Sequence, residues 1–482
     1  MAHPPSLPPA LARELSSLPH PLATLRAHAG DFDRARAWCA RALATTHLVA
    51  VASHLCRRHA ATLEDLDALG FPTDLLAFFP GWRRGSRHGY IARGLGLRLA
   101  PAGAGHPLGS FRIQLSPFAQ TIPYALCLLR DFLRRTDPGT RCTLVVEPGA
   151  DVDALSSLIG EIAKSARDRV RIATARTQTV FARDNAAAMR DADGNPVLLL
   201  PRGFRHRDAR ARDEMAPADA ERAFGLRAIR SPFYWEGGNV VYDDTRCLVG
   251  ADTIVENMRR LGLTEDEVVH GLSATFGVDV TVLGEVDRAR FDIDEDRFEE
   301  SGQTSFHIDL DVALLGRFGR NRRPVALVAD PSRGLDLLPA VLRHRPLFED
   351  HFLSVRAARA RIEAQYDAYA RERHPRLLGY AATLESLGYR VVGMPDVRVD
   401  PKENVFRRVN LDFSYCNVLP GLHQARPAVH YLRWGIAALD ASAEKQFRAA
   451  GVEPIAVSPR GRLANELMTL QGGLRCACGP LP

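Results

Sequence analysis

Short apolar runs and helical stripes alternate along most of this chain. After a Pro-rich opening, residues 31–58 carry apolar positions at helical spacing, with Asp31 or Asp33 placed as a cap, and residues 62–69 read as a shorter helix. Pro and Gly cluster over residues 100–109, a soft boundary. Beyond it, strands are expected near residues 110–115, 141–147, 170–175, 197–200, 239–242, 247–250, 278–283, 305–315, 325–329, 389–393, 409–419, 429–434 and 454–457. Helices are expected between them at 123–135, 154–166, 253–261, 265–276, 335–342, 354–373, 377–387 and 442–450. The pattern is that of an α/β protein with short strands and recurrent crossovers, and no repeat of short fixed period.

Composition changes this picture little. The chain has 482 residues, 46% hydrophobic and 25% charged, which excludes a mainly disordered or fibrous chain. The formal charge is +6, with nearly all cations Arg; Lys occurs only at Lys164, Lys402 and Lys445. So mild an excess does not call for nucleic acid. No run reaches the length that spans a bilayer, and the opening residues lack a basic region followed by an apolar core. Eight scattered cysteines without CxxC spacing fit a reducing, cytoplasmic setting. No GxGxxG or Walker-type motif supports a nucleotide site.

Four segments place a polar, chemically capable residue in an apolar or glycine-rich frame: FARDN (181–185), WEGGN (235–239), FHIDLD (306–311) and GGLRC (472–476). If 305–315 is a strand, His307, Asp309 and Asp311 share one face and Phe306, Ile308, Leu310 and Val312 the other. A polar stripe on a core strand is costly to bury, and a site justifies it; an exposed edge strand fits the same alternation. The glycines of EGG allow close backbone approach or positive φ, and a plain turn would use them too. FARD also fits a surface Arg–Asp pair, and GGLRC a frayed tail. An exposed free thiol in a tail would be a liability, which draws attention to Cys476.

Together the four segments resemble the guanidino-group-modifying enzymes: arginine deiminase, agmatine deiminase, peptidylarginine deiminase, dimethylargininase and the amidinotransferases. That family carries an Asp in an xRD segment, an EGG, an HxD strand and a Cys after a glycine pair near the C-terminus. Asp184, Glu236, His307 with Asp309, and Cys476 match them in order. GGLRC is similar to the arginine deiminase form, and SYCN (414–417) to the S-Y-x-N strand of agmatine deiminases. The resemblance covers roughly residues 110–482. It implies a five-bladed α/β propeller of pentein type, with the site on its axis. The catalytic domain would span 106–482, behind a mainly helical N-terminal extension, 1–105, of unassigned function.

The resemblance also implies roles. Asp184 and Asp309 would clamp the guanidinium with charge-assisted hydrogen bonds. The Cys476 thiolate would attack its carbon, His307 would donate and later accept the proton, and Glu236 would orient His307. Gly237, Gly238, Asn239, Arg475 and Asn417 are expected around the substrate. The implied reaction is hydrolysis of a guanidine to a ureido product and ammonia through an S-alkylthiouronium on Cys476, and the alternative is amidino transfer to an amine. Neither needs a metal or organic cofactor. The expected partner is a small cationic guanidine: an arginine derivative, an agmatine-like compound or peptidyl arginine. No membrane or nucleic-acid partner is expected, and homo-oligomerisation stays open. A non-catalytic protein binding anions through surface arginines would leave the four ordered motifs unexplained.

Two departures bear on the substrate. Gln471 stands where arginine deiminases carry an Arg for the substrate carboxylate, and Asn239 where they usually carry Asp, which leaves free arginine open. The 169 positions between His307 and Cys476 leave room for an insertion, best placed at 354–387. Cys478 is expected as a spectator and Cys416 as core. His423 and Arg426 fit either a pocket lining or a solvent loop, and RFGRNRR (317–323) fits a solvated loop.

Overall fold

One unit recurs along the chain: an antiparallel strand pair, a helical crossover and a third strand parallel to the second. The computed structural model describes residues 48–79, 94–115, 122–162, 168–176, 179–204, 213–286, 302–319, 321–343, 355–398, 412–457 and 472–482, together with single positions before residue 48. Among these residues the strands form five sheets.

In chain order the strands are β1 (Arg98–Leu99), β2 (Ser110–Gln114), β3 (Cys142–Val146), β4 (Val170–Thr174), β5 (Ala187–Arg190), β6 (Pro196–Leu200), β7 (Arg227–Arg230), β8 (Val240–Tyr242) and β9 (Cys247–Gly250). They continue with β10 (Val280–Leu283), β11 (Val312–Phe318), β12 (Asn321–Asp330), β13 (Arg390–Arg398), β14 (Asp412–Ser414), β15 (Leu419–His423), β16 (Arg426–Leu432), β17 (Glu453–Val457) and β18 (Gly479–Leu481). The antiparallel pairs β5–β6, β8–β9, β11–β12 and β15–β16 are followed by parallel β7, β10, β13 and β17. In the remaining sheet, β2 and β3 run parallel across the helix Ile122–Arg135. There the antiparallel partner is β18, from the far end of the chain. The tail is therefore not frayed.

The crossovers follow the sequence pattern. Glu265–Phe276 begins at a Thr264 capping box and stops at Gly277, whose φ of 67° is the left-handed conformation that a glycine adopts without strain. The expected helices at 354–373 and 377–387 are one helix, Val355–Ser386, with Pro375 inside it.

Both faces of the central strands are covered, so their alternation is not polar-out. On β6, Val197 and Leu199 enter one hydrophobic cluster and Leu198 and Leu200 another. The helices Leu48–His59, Leu63–Ala68 and Thr73–Phe78 pack into the cluster of Val197. Phe78 meets Phe233 edge-on, with ring centroids 5.6 Å apart, just ahead of Trp235 and Glu236. The N-terminal helices thereby brace one lead-in to the site. Among the described residues no helix is long and apolar enough to cross a membrane.

One expected element is corrected. Residues 305–311 do not form a strand: Ile308–Leu310 is a 3-10 turn, and the strand begins at Val312. The turn sends Asp311 away from His307 and Asp309. Asp311 instead meets the guanidinium groups of Arg373 and Arg398 and accepts from Thr304 Oγ1 at 2.6 Å and Ser305 Oγ at 2.7 Å. Both readings of the stripe, a shared functional face and an exposed edge, give way to two separate buried sites.

Candidate active site

Each candidate side chain occupies the same place in its unit, the lead-in to the sheet's first strand. Asp184 stands three residues before β5, Glu236 four before β8, and His307 and Asp309 five and three before β11. Asn417 stands two before β15 and Cys476 three before β18. Recurrence of the unit thus converts residues far apart in sequence into neighbours.

The structure brings together Asp184, Glu236, His307, Asp309, Asn417, Arg475 and Cys476, all buried. His307 Nε2 lies 2.7 Å from Glu236 Oε2, and His307 Nδ1 lies 3.9 Å from Asp184 Oδ1. Cys476 Sγ is 3.8 Å from Asp309 Oδ2 and 4.0 Å from its Oδ1. Asn417 Nδ2 donates to Cys476 Sγ at 3.1 Å, and Asn417 Oδ1 accepts from the backbone N–H groups of Arg475 and Cys476 at 2.8 and 3.2 Å. FARD is buried rather than a surface pair, and the Cys476 carbonyl accepts from the Arg183 N–H at 3.0 Å.

The glycines serve close approach. A Cβ on Gly237 would strike the Arg183 carbonyl, and one on Gly238 would enter the His307 ring. Neither has a positive φ. The Gly238 N–H donates to Asp184 Oδ1 at 2.8 Å, fixing that carboxylate beside the histidine.

Charges are balanced tightly. Burial works against a charged His307, but Asp184, Glu236 and Asp309 outweigh it and raise its pKa above the ordinary imidazole value. Burial raises the Asp309 carboxyl, while Arg475 and His307 hold it down; Arg475 Nη1 donates to Asp309 Oδ2 at 2.6 Å. Burial, then Asp309 and Asp184, push the Cys476 thiol well above its ordinary value. The carboxylates thus favour the charged form of His307 and oppose a charged Cys476.

Three residues expected around the substrate have definite structural partners. Arg475 spends its guanidinium on Asp309 and on the carbonyls of Gly237 and Val240, at 3.3 and 2.8 Å. Asn239 Oδ1 accepts from the Ile308 N–H at 3.1 Å and from Gln303 Nε2 at 2.9 Å, which ties the EGG segment to the 3-10 turn. Asn417 holds the cysteine turn. Gln471 lies outside the described residues. His423 faces Asp137 at 3.1 Å and Arg426 is exposed. Cys416 and Cys478 are buried, as core residues are. Of the basic run, Arg317 and Arg323 are exposed; Arg320 and the side chain of Arg322 lie outside the described residues.

Sequence reasoning passed over Gln303 and Arg112. Gln303 also donates to the carbonyls of Ser305 and Phe306, both at 2.9 Å. Arg112 is wholly buried and donates to the Ala182 carbonyl and Asn185 Oδ1, both at 2.6 Å. An Arg set between Phe111 and Ile113 on a strand was the available signal. Among the described residues no group of three His, Cys, Asp or Glu side chains is arranged to hold a metal ion.

No protein-family model matches the chain, and no curated protein matches it in sequence. Solved structures do match. A candidate peptidyl-arginine deiminase superposes with a TM-score of 0.52 at 14% identity, over 80% of this chain and 99% of that one. A candidate agmatine deiminase gives 0.51 at 14% identity, over 80% and 96%. The chain has the fold of the guanidino-group-modifying enzymes. A Cys-to-Ser variant of C. jejuni agmatine deiminase with substrate bound gives 0.50 at 13% identity, over 80% and 96%. At such identities the pentein-type likeness is one of fold.

Proposed function

We propose that this protein is a cysteine-dependent hydrolase of a guanidine, a deiminase releasing ammonia and leaving a ureido product. The observation that carries the reading is the convergence of Cys476 Sγ, Asp309 and the His307–Glu236 pair from lead-ins 71 and 167 residues apart in sequence, on a fold shared with structures described as deiminases. In this reading the five sheets are the blades of a propeller around the site. Residues 106–482 carry the chemistry, and the helices of 1–105 brace it.

The electrostatics suit a cation. A guanidinium seated between Asp184 and Asp309 would be held by charge-assisted hydrogen bonds, planar and still cationic. Its charge would offset the two carboxylates that hold the Cys476 proton in place, so substrate would lower the thiol pKa where it is needed. The thiol proton passes to solvent, and the thiolate forms a bond to the guanidine carbon as a C–N π pair moves onto nitrogen. The C–N bond breaks as the His307 imidazolium gives its proton to the departing nitrogen, which leaves as ammonia. Neutral His307 takes a proton from water, hydroxide adds to the thiouronium carbon, and the C–S bond breaks to regenerate the thiol. Glu236 stabilises the charged ring throughout.

Purified protein incubated with arginine, agmatine, arginine peptides and methylated arginines tests this, with mass spectrometry reading replacement of NH by O. Wild type should convert at least one, and Cys476→Ala none. An amidino-transfer product without ammonia would assign the alternative reaction, and inertness toward every guanidine would end the reading.

A further inference from the structure

Beside the candidate site, reached through Arg183 and Arg475, lies a cavity of about 480 Å³, within the range of small-molecule pockets. Its lining includes neither Cys476, His307 nor Glu236, and neither Asp184 nor Asp309. Pro101, Pro107, Gly109 and Arg190 are exposed at its mouth, and Arg183, Tyr242, Leu314, Arg475 and Cys478 are buried at its floor. The two faces of the site thus differ: one meets the thiol and carboxylates, the other the arginine side chains.

The side-chain charge of this lining is one-sided. Its ionisable side chains are His106, Arg183, Arg190 and Arg475, besides Cys478 and Tyr242; it holds no carboxylate side chain, and Pro482 with its α-carboxyl also lines it. His106 is paired with Asp244. At the floor, Arg183 and Arg475 converge on the same two acceptors, the carbonyls of Gly237 and Val240. Arg183 reaches both at 3.4 Å, longer than good hydrogen bonds, and sits over the Tyr242 ring at 5.4 Å. Arg475 has Asp309 as its carboxylate partner, and Arg183 forms no ion pair among the described residues. Burial, and then the neighbouring Arg475, lower the Arg183 pKa to about 10. An anion there would relieve that repulsion. The rest of the lining, with Leu108, Phe111, Leu314 and Leu419, suits a compact apolar body.

We propose that this cavity is an effector site for a small organic anion, a carboxylate or phosphate on a compact apolar body, held by Arg183 with Arg475 and admitted past Arg190. Occupancy reaches the thiol by a short route. An anion on Arg475 competes with Asp309 for the guanidinium, and Asp309 stands against Cys476 Sγ. Less neutralised, Asp309 raises the thiol pKa further. Anion binding itself is independent of the deiminase reading, and the coupling concerns the thiol rather than turnover.

The test uses the full chain with benzoate, phenyl phosphate and neutral benzamide, followed by calorimetry. Both anions should bind, benzamide should not, and Arg183→Met should weaken the anions by about tenfold or more. Benzoate and phenyl phosphate, compared directly, separate a carboxylate site from a phosphate site. Should Arg183→Met not fold, Arg190→Glu, a reversal at the mouth, should weaken the anions several-fold. Crystals soaked with 4-bromobenzoate should show the bromine in the cavity by anomalous scattering. Saturating benzoate should slow alkylation of Cys476 by iodoacetamide. Equal binding of benzamide and the anions, bromine elsewhere, or an unchanged alkylation rate at saturation would each overturn the proposal. A negative guanidine screen with positive anion binding would remove the deiminase reading and leave this one.

Discussion

Asn417 grips Cys476 at both ends of its amide: its Nδ2 lies 3.1 Å from Sγ, and its Oδ1 accepts the Cys476 backbone N–H together with that of Arg475. The turn carrying the thiol is therefore fixed by one amide from the lead-in to β15. Gly473 permits this contact, since a Cβ there would collide with the Asn417 side chain.

Asn417→Ala should leave those two N–H groups without their acceptor, at about 1–3 kcal/mol for each buried group. We expect slower Cys476 alkylation and reduced turnover in a folded protein, read by iodoacetamide kinetics and circular dichroism. Asn417→Asp should be worse for the thiol, because a third carboxylate beside it raises its pKa. An alkylation rate equal to wild type in both variants would refute the gripping role.

Glu236→Gln should move the pH profile. The His307 pKa is raised by its carboxylate neighbours, so the imidazolium persists above the ordinary value and is lost as pH rises through the raised one. Removing the Glu236 charge lowers that pKa, and the basic limb of activity should shift to lower pH by about one unit or more. The same sign governs stability: the contribution of charged His307 is complete below the unfolded pKa and disappears as pH rises through the folded one. A profile unmoved by the substitution would exclude His307 as the titrating group.

Gly238→Ala should displace the His307 ring, which occupies the position a Cβ would take. Misplacement of a reacting group by about 1 Å costs about a hundredfold in rate, so turnover should fall by that order while the melting temperature changes less. Wild-type turnover in this variant would contradict the packing.

Asp311→Ala should be a stability variant. It leaves the buried Arg373 and Arg398 with Asp396 as their one shared carboxylate among the described residues, two cations on a single anion, and breaking a buried pair costs about 3–5 kcal/mol. Burial opposes the Asp311 charge, but Arg373 and Arg398 prevail and lower its pKa. Its contribution is therefore present above the ordinary carboxylate value and lost as pH falls through the depressed one. Urea unfolding of wild type and variant across acid pH measures both effects, and equal midpoints near neutrality would disprove the anchoring role.

How much of this was legible beforehand varies by element. The helix at 265–276 was readable to the residue because its cap and stop are local chemistry, Thr264 and Gly277. The strand at 305–315 was misread because alternation cannot distinguish a strand from a 3-10 turn feeding one. What selects the turn is tertiary: Asn239 and Gln303 take up its backbone groups on one side, and Arg373 and Arg398 draw Asp311 to the other.

The candidate site divides in the same way. The sequence by itself determined which residues are candidates for chemistry, because Asp184, Glu236, His307, Asp309 and Cys476 lie in short motifs whose residue types are costly to bury without purpose. Only the tertiary structure decided which of them meet. It made Asn417 a support for the thiol and turned the Arg475 charge toward Asp309 and the cavity beside the site. It also separated Asp311 from its neighbours in the motif. Motifs are local, whereas hydrogen-bond partners and charge balance depend on which lead-ins the recurrent sheets bring side by side.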